Sequence, residues 1–429
     1  MGKSRLIFFD TTNYTDFPIG GQLTSVRSLL RFLCETCPER CAEIVLCGVS
    51  KKQEEAGRLR ELSLFGQNIT FLPVTAAETD LAHTAKSLRA AFAKGILRYG
   101  RQLHITKEDC CYLQTPEAYG PVRLLCAGAS IVIFSHGSYA NMERGFRFFQ
   151  DDSVKSRLIR SAFPAYLKSV LKGAELIFIL DEASRKDYLP YNQRLVKVTN
   201  SVVLPETYEN FDAAARASRY AGRLLFAGRL SKDKGVENIM RAAVSLHAAG
   251  EQVSLQVVGD GERGEALRQL AKELDPQGKV ISMCGAVPPS AVSAFMENAD
   301  ILVMNSAFEG VPMTILEALS CGLPVISTDV GGIGEAVCFR APEVTGADEP
   351  QSGGADGRPE RPERHAAEEN AHYDAERTDG SAQSIAAAVL RIRKNYAAYA
   401  SNAHENARKY DYREVNRLIY QNLTRFWKE

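Results

Sequence analysis

The segment from Ala299 to Val337, ADILVMNSAFEGVPMTILEALSCGLPVISTDVGGIGEAV, reads as strand, loop, helix, strand and loop. Ile301 to Met304 is an unbroken apolar run, as expected of a strand covered on both faces. Pro312 sits where a helix begins without losing a needed donor, and Gly322 with Pro324 where it stops. Val325 and Ile326 open the next strand. The N–H groups of Val311, Met313 and Thr314 then fall at a free helix N-terminus, which favours phosphate. Glu317 lies about 7 Å further along the axis, within reach of a hydroxyl-bearing group on that phosphate, such as a ribose. Glu309, ahead of the helix, can meet hydroxyls on the other side. The same spacing also fits a capping glutamate and one surface acid on an ordinary αβ unit.

The words around the two glutamates narrow the choice. Glu309-Gly-Val-Pro-Met-Thr-Ile-Leu-Glu317-Ala, then Cys321-Gly-Leu-Pro-Val-Ile and Val330-Gly-Gly, resembles the signature of the retaining glycosyltransferases of family four. The resemblance implies an α/β chain of the GT-B fold, two Rossmann-like domains facing each other across a donor/acceptor cleft. It also implies a bacterial-type enzyme of polysaccharide or glycolipid synthesis.

The 429 residues suit two domains of about 200 each. We place an N-terminal, acceptor-side domain at 1–205, a linker at 206–221 and a nucleotide-sugar-binding domain at 222–400. A mobile acidic insertion is expected at 343–380, and a helix crossing back to the first domain at 401–429. With 45% apolar residues and 52 cationic against 52 acidic side chains, a nucleic-acid partner is not expected. No run of eighteen apolar residues occurs, and MGKSRLIFFD reads as a first buried strand rather than a secretory signal. The expectation is a cytoplasmic protein, peripheral at the inner face of the membrane. Cys34 and Cys37 form a CxxC with Cys41 and Cys47 nearby, but no histidine accompanies them, so free thiols are expected.

In the first half, Leu6 to Phe9 leads to Gly20-Gly21-Gln22 and a helical pattern. A glycine pair there lets backbone approach a ligand closely. Glycine turns are common, and by resemblance this one lies under the donor diphosphate. Leu88, Phe92, Ile96, Tyr99 and Leu103 form an apolar stripe, with Lys86, Arg89, Lys94, Arg98 and Arg101 largely off it. The stripe either docks on an anionic membrane surface or packs against its own domain. His136 follows the apolar run Ile131 to Phe134, at the strand end where open αβ sheets bind ligands. A histidine there is structural or functional on spacing alone; by resemblance it faces the donor sugar.

In the second half, Gly228-Arg229-Leu230-Ser231-Lys232-Asp233-Lys234-Gly235 follows an apolar strand. Arg229 can chelate a diphosphate in a fork and Lys234 can act as a point charge. Gly259-Asp260-Gly261-Glu262-Arg263-Gly264 is formally a dinucleotide fingerprint, but no acid ends the following strand, which reaches Gly285-Ala286-Val287. By resemblance, Gly259 belongs to the donor site while Gly285 and Val287 border the nucleobase. No Asp-x-Asp and no phosphate loop of the GxxxxGK[ST] type occurs, so no metal and no other cofactor are expected.

The function read from the sequence is a retaining, metal-independent glycosyltransferase. It moves a sugar from a nucleotide sugar, a UDP-sugar, to a saccharide or lipid-linked acceptor. Glu309, His136, Arg229 and Lys234 are the expected catalytic group. Gly20, Gly21, Gly259, Gly285, Val287, Gly310, Met313, Thr314 and Glu317 complete the donor site. Two other classes stay open, a non-catalytic sugar-nucleotide-binding subunit of a synthase complex and, resting on GDGERG, a dinucleotide-dependent oxidoreductase.

Overall fold

Short apolar strands buried on both faces set the architecture. β1 (Leu6–Phe9), β2 (Ile44–Ser50), β3 (Arg60–Leu64), β4 (Gln67–Ala76), β5 (Cys110–Leu113), β6 (Ser130–Ser135), β7 (Leu176–Ile179) and β8 (Leu195–Lys197) form one sheet. Its order is β3-β4-β2-β1-β5-β6-β7-β8, parallel except for the β3–β4 hairpin. β9 (Arg223–Ala227), β10 (Ser254–Val258), β11 (Ile281–Gly285), β12 (Ile301–Met304), β13 (Val325–Ser327) and β14 (Ala375–Arg377) form the second. Its order is β11-β10-β9-β12-β13-β14, all parallel. The computed structural model describes residues 4–17, 20–77, 88–137, 154–340 and 373–428.

Each sheet reverses its winding once, between β1 and β5 in the first and between β9 and β12 in the second. Crevices for ligands open at such points, outside the carboxyl ends of the strands. The two Rossmann-like domains turn these ends towards each other, as in the GT-B fold. An apolar cluster continues from Leu6 and Phe8 through Val198 and Val202 to Val311 and Ile315. Lys197 adds an ion pair between the domains, 2.8 Å from Glu335, and also reaches Glu182 at 3.1 Å. These side chains are a third to a half exposed, so the pairing contributes little net stability.

Several boundaries differ from the sequence expectation. Residues 206–221 are more than a tether. Asp212 caps the helix Ala213–Ser218, and buried Arg216 donates to the carbonyls of Met296 and Ala299 at 3.3 and 2.8 Å. The segment is thereby packed onto the second domain.

The crossing back to the first domain falls within 401–429 and is made by its later part. The helix Tyr396–Ala407 keeps Ala400, Ala403 and Ala407 buried within the second domain. The chain passes over at Tyr410 to Tyr412, where Val202 N–H bonds the Tyr410 carbonyl and Tyr412 N–H bonds that of Val202. The helix Tyr412–Leu423 then lies on Gly21–Thr36, with Asn416 Nδ2 3.1 Å from Ser28 Oγ. Trp427 is buried, donates from Nε1 to the Ser4 carbonyl at 3.1 Å, and lies under the Arg40 guanidinium.

The acidic insertion expected at 343–380 ends too late. Residues 341–372 lie outside the described residues, but β14 falls inside the expected range and pairs with β13, Val325 opposite Ala375. Glu376 is buried there because Arg391 Nε (2.7 Å) and the Tyr399 hydroxyl satisfy its carboxylate. Composition hid this strand, since two of its three residues are charged.

The apolar stripe proposed for lipid docking is turned inward. In the helix Leu88–Tyr99, Phe92 and Ile96 are buried, Leu103 beyond it is buried too, and Gly95 rests on the Val74 carbonyl. Residues 81–87 lie outside the described residues. Lys94, Leu97, Arg98 and Arg101 form the outward face. The thiols of Cys34, Cys37, Cys41 and Cys47 are all free and buried, and burial pushes that of Cys37 up to about 11.

Candidate functional site

The site begins at the winding reversal of the second sheet. The loop after β9 and the loop after β12 are laced together, with Ala307 N–H 2.7 Å from the Asp233 carbonyl and Asn305 Nδ2 3.0 Å from that of Gly235. Gly235 takes φ 55°, and a Cβ there would lie 2.6 Å from Asn305 Nδ2. This close approach requires glycine. It brings Lys234 Nζ to 2.5 Å from Glu309 Oε1, which also accepts from Ser306 Oγ at 2.7 Å. The two charged side chains are only 15% and 14% exposed, so each needs a compensating partner, and Lys234 Nζ also lies 3.7 Å from Asp233 Oδ2.

Glu309 is held from behind as well. Gly331, at φ 59°, packs so tightly that a Cβ would overlap the Glu309 carbonyl oxygen, and Gly332 N–H bonds the Gly310 carbonyl at 3.0 Å. After Gly310 the chain turns at Pro312 into the helix Met313–Ser320. No side chain caps that helix start. Its first amides, at Met313 and Thr314, stay available to an anion. Glu317 lies further along the same helix; burial raises its carboxyl pKa, and among the described residues its carboxylate makes no hydrogen bond or ion pair. A carboxyl desolvated beside a cleft suits sugar hydroxyls, which can donate to it.

The first domain closes on this arrangement. A Cβ on Gly21 would sit 3.2 Å from Met313 Cγ, and one on Gly310 would sit 3.8 Å from the His136 carbonyl oxygen. Asn200 Nδ2 donates to the Val311 carbonyl at 2.8 Å. Gly21, His136, Gly310, Met313, Glu309 and Lys234 therefore converge.

His136 Nε2 lies 2.6 Å from Gln114 Oε1, and burial, with the Arg89 charge adding, lowers its pKa to about 3. The imidazole is neutral near pH 7. With Gln114 presenting its carbonyl oxygen, Nε2 carries the proton and Nδ1 keeps a lone pair that can accept from a hydroxyl.

The remaining expected residues sit around this centre. Gly20, at φ 154°, precedes the first-domain helix. Arg229 is exposed in the loop after β9. Gly259 faces the Gly228 carbonyl so closely that a Cβ would overlap it, and its N–H bonds the Gly285 carbonyl at 2.8 Å. A Cβ on Gly261 would come within 2.6 Å of the Leu230 carbonyl. The first two glycines of GDGERG are thus required by the chain's own Arg229 loop, and the third by Asp260 within the motif, where a Cβ on Gly264 would overlap Oδ1, so packing within the chain accounts for the motif without a dinucleotide. Val287 is half-buried against the core.

Sequence reasoning missed Ser306, Asn305, Gln114, Asp10 and Gln22. Each follows a strand end or a glycine turn directly, and that position was the available signal.

Residues 208–346 match the family of glycosyl transferases, group 1. The second domain is a group 1 glycosyl transferase domain. A lipopolysaccharide 1,2-N-acetylglucosaminetransferase of Salmonella typhimurium is 29% identical over 163 residues, 34% of this chain and 43% of that one. Other curated relatives are matched over 25–30% of their own length. Sucrose-phosphate synthase from Thermosynechococcus elongatus shares the whole fold, with TM-score 0.68, 15% identity and 99% of both chains covered. HepE of Anabaena, solved with UDP-glucose, gives TM-score 0.59 at 16% identity over 98% of this chain and 99% of that one. Glu309, Glu317, Arg229 and Lys234 all lie within the matched residues.

Proposed function

We propose that the chain is a retaining, metal-independent glycosyltransferase that moves a sugar from a UDP-sugar to a saccharide or lipid-linked acceptor, in the synthesis of cell-surface polysaccharide or glycolipid. The observation that carries this reading is the meeting of the Lys234–Glu309 pair and the uncapped helix start at Met313 with Gly21 and His136 of the facing domain. The UDP-glucose complex of HepE and the lipopolysaccharide enzyme of Salmonella support donor and acceptor class.

The geometry suggests a division of labour. Lys234, Arg229 and the amides of Met313 and Thr314 hold the diphosphate, and positive charge from the chain itself takes the place of a metal. Lys234 is engaged by Glu309 in this structure, so donor entry exchanges that partner for a phosphate oxygen. Glu309 is thereby released to accept from sugar hydroxyls, Glu317 accepts from the ribose, and His136 accepts from the sugar across the cleft. The bond from the anomeric carbon to the phosphate oxygen breaks, and the acceptor oxygen bonds that carbon on the same face. The acceptor proton passes to the departing phosphate oxygen. Gly21 faces Met313 with little room between them, since a Cβ on the glycine would lie 3.2 Å from Met313 Cγ, so in this reading donor entry requires the domains to part and re-close, excluding water.

The cytoplasmic face of a membrane is the proposed location. Lys94, Arg98 and Arg101, with Leu97 and Leu124 exposed at 49% and 78%, offer a cationic surface with apolar tips to anionic headgroups. Among the described residues no helix is long and apolar enough to cross a membrane.

The test is turnover by the purified chain. With a panel of UDP-sugars and saccharide acceptors, release of UDP and a product of unchanged anomeric configuration by NMR are expected. No UDP release across the panel, or an inverted product, would refute the proposal. Co-sedimentation with phosphatidylglycerol vesicles equal to that with neutral vesicles would remove the membrane surface.

A further inference from the structure

At the winding reversal of the first sheet, between β1 and β5, lies a buried carboxyl that the mechanism above leaves unused. Asp10 follows β1 directly and is fully buried. Its backbone N–H bonds the Cys47 carbonyl at 3.1 Å, and Gln114 N–H bonds the Phe9 carbonyl beside it at 3.0 Å. Asp10 Oδ1 accepts from Gln22 Nε2, and Oδ2 from Thr12 Oγ1 at 3.2 Å. Gln22 is the second residue of the helix that starts at Gly21. That helix start has no side-chain cap. The Asp10–Gln22 bond therefore ties the glycine turn to the sheet, and a Cβ added to Gly21 of that turn would lie 3.2 Å from Met313 Cγ across the cleft.

Among the described residues Asp10 makes no ion pair; such a buried carboxyl is an expensive way to fix a turn, and such groups cluster at functional sites. The groups acting on it are few. Gln22, Thr12 and the Thr11 N–H stabilise its charge, as does the more distant Arg89 from the helix Leu88–Tyr99, while Tyr14 and Tyr112 close it in. Burial outweighs them and pushes its pKa up to about 7.

We propose that Asp10 is a positioning residue for donor binding: as a carboxylate it grips Gln22 and so sets the Gly20–Gly21 turn at its working distance from Met313. The neutral acid holds Gln22 less firmly, and the turn loses its register over the diphosphate. The inference rests on the glycosyltransferase reading.

Calorimetric titration of the full chain with UDP-glucose from about pH 6 to about pH 8 tests it. A diphosphate esterified at both ends keeps its charge across that range. Wild-type affinity is expected to fall about tenfold from the upper to the lower pH, because a group titrating near 7 goes from mostly charged to mostly neutral. Asp10→Asn should vary by less than about twofold across the same range. Gln22→Leu, which keeps the acid and removes the arm, should bind more weakly and be equally flat. Glu317, the other raised acid of the cleft, is intact in both variants, so a slope that survives in them belongs to it. Wild-type slope in Asp10→Asn overturns the inference, and so does wild-type slope and affinity in Gln22→Leu should Asp10→Asn fail to fold. No UDP-glucose binding by the wild type at either pH overturns the UDP-sugar reading, and this inference with it.

Discussion

Lys234 Nζ and Glu309 Oε1 lie 2.5 Å apart, joining the loops that follow β9 and β12 at the winding reversal of the second sheet. The pair neutralises itself until a donor enters. Glu309→Gln therefore frees Lys234 for phosphate. UDP affinity should hold or rise in that variant while turnover falls by about 10²-fold or more, the scale of losing a transition-state contact. Lys234→Met should weaken UDP by about tenfold or more, since one charge-assisted contact is lost. Calorimetry and steady-state rates on the same preparations separate the two effects.

Gly331 should not tolerate a side chain. At φ 59°, with a Cβ overlapping the Glu309 carbonyl, Gly331→Ala should destabilise the protein by about 2–4 kcal/mol through combined backbone and steric strain. Urea unfolding measures the cost. Gly21→Ala is the contrasting case, since the new Cβ would meet only Met313 Cγ, at 3.2 Å, in an unbranched side chain that can shift, and near-normal stability is expected.

Asp10 makes stability depend on pH in a stated direction. Its pKa rises from 3.8 to about 7 on folding, so the folded state holds a proton that the unfolded state has lost between those values. Stability from this group is full below about pH 4 and lost as pH rises to 7, a penalty of up to about 4 kcal/mol above that. Asp10→Asn should raise the melting temperature more at pH 8 than at pH 5. An equal change at both would contradict the shift.

Trp427 ties the end of the chain to the first domain. Trp427→Ala removes a fully buried side chain, its bond to the Ser4 carbonyl and the Arg40 contact, and should cost about 3–5 kcal/mol by urea unfolding.

Much of this was legible in the sequence where geometry is local. Ile301–Met304, the Pro312 helix start and the Gly322 stop are written in residue type and spacing, and so is the strand–loop–helix unit that carries Glu309 and Glu317. What escaped depends on contacts distant in sequence. The β14 residues Ala375–Arg377 are charged and follow an acidic stretch, yet Arg391 and Tyr399 make Glu376 a buried residue. The stripe at Phe92 and Ile96 has the same periodicity whether it meets lipid or β4, and only the fold decided. Ser306 and Gln114 are single polar residues with no motif; their roles come from what folding brings beside them.

The central claim is that Arg229, Lys234 and the helix start at Met313 hold the diphosphate of a nucleotide sugar between the two domains. Titrating the wild type and an Arg229→Ala/Lys234→Met variant with UDP-glucose in parallel, with folding checked by circular dichroism, tests it most directly. Saturable binding by the wild type that is lost in the folded variant is the predicted result. Equal binding by both would contradict the account.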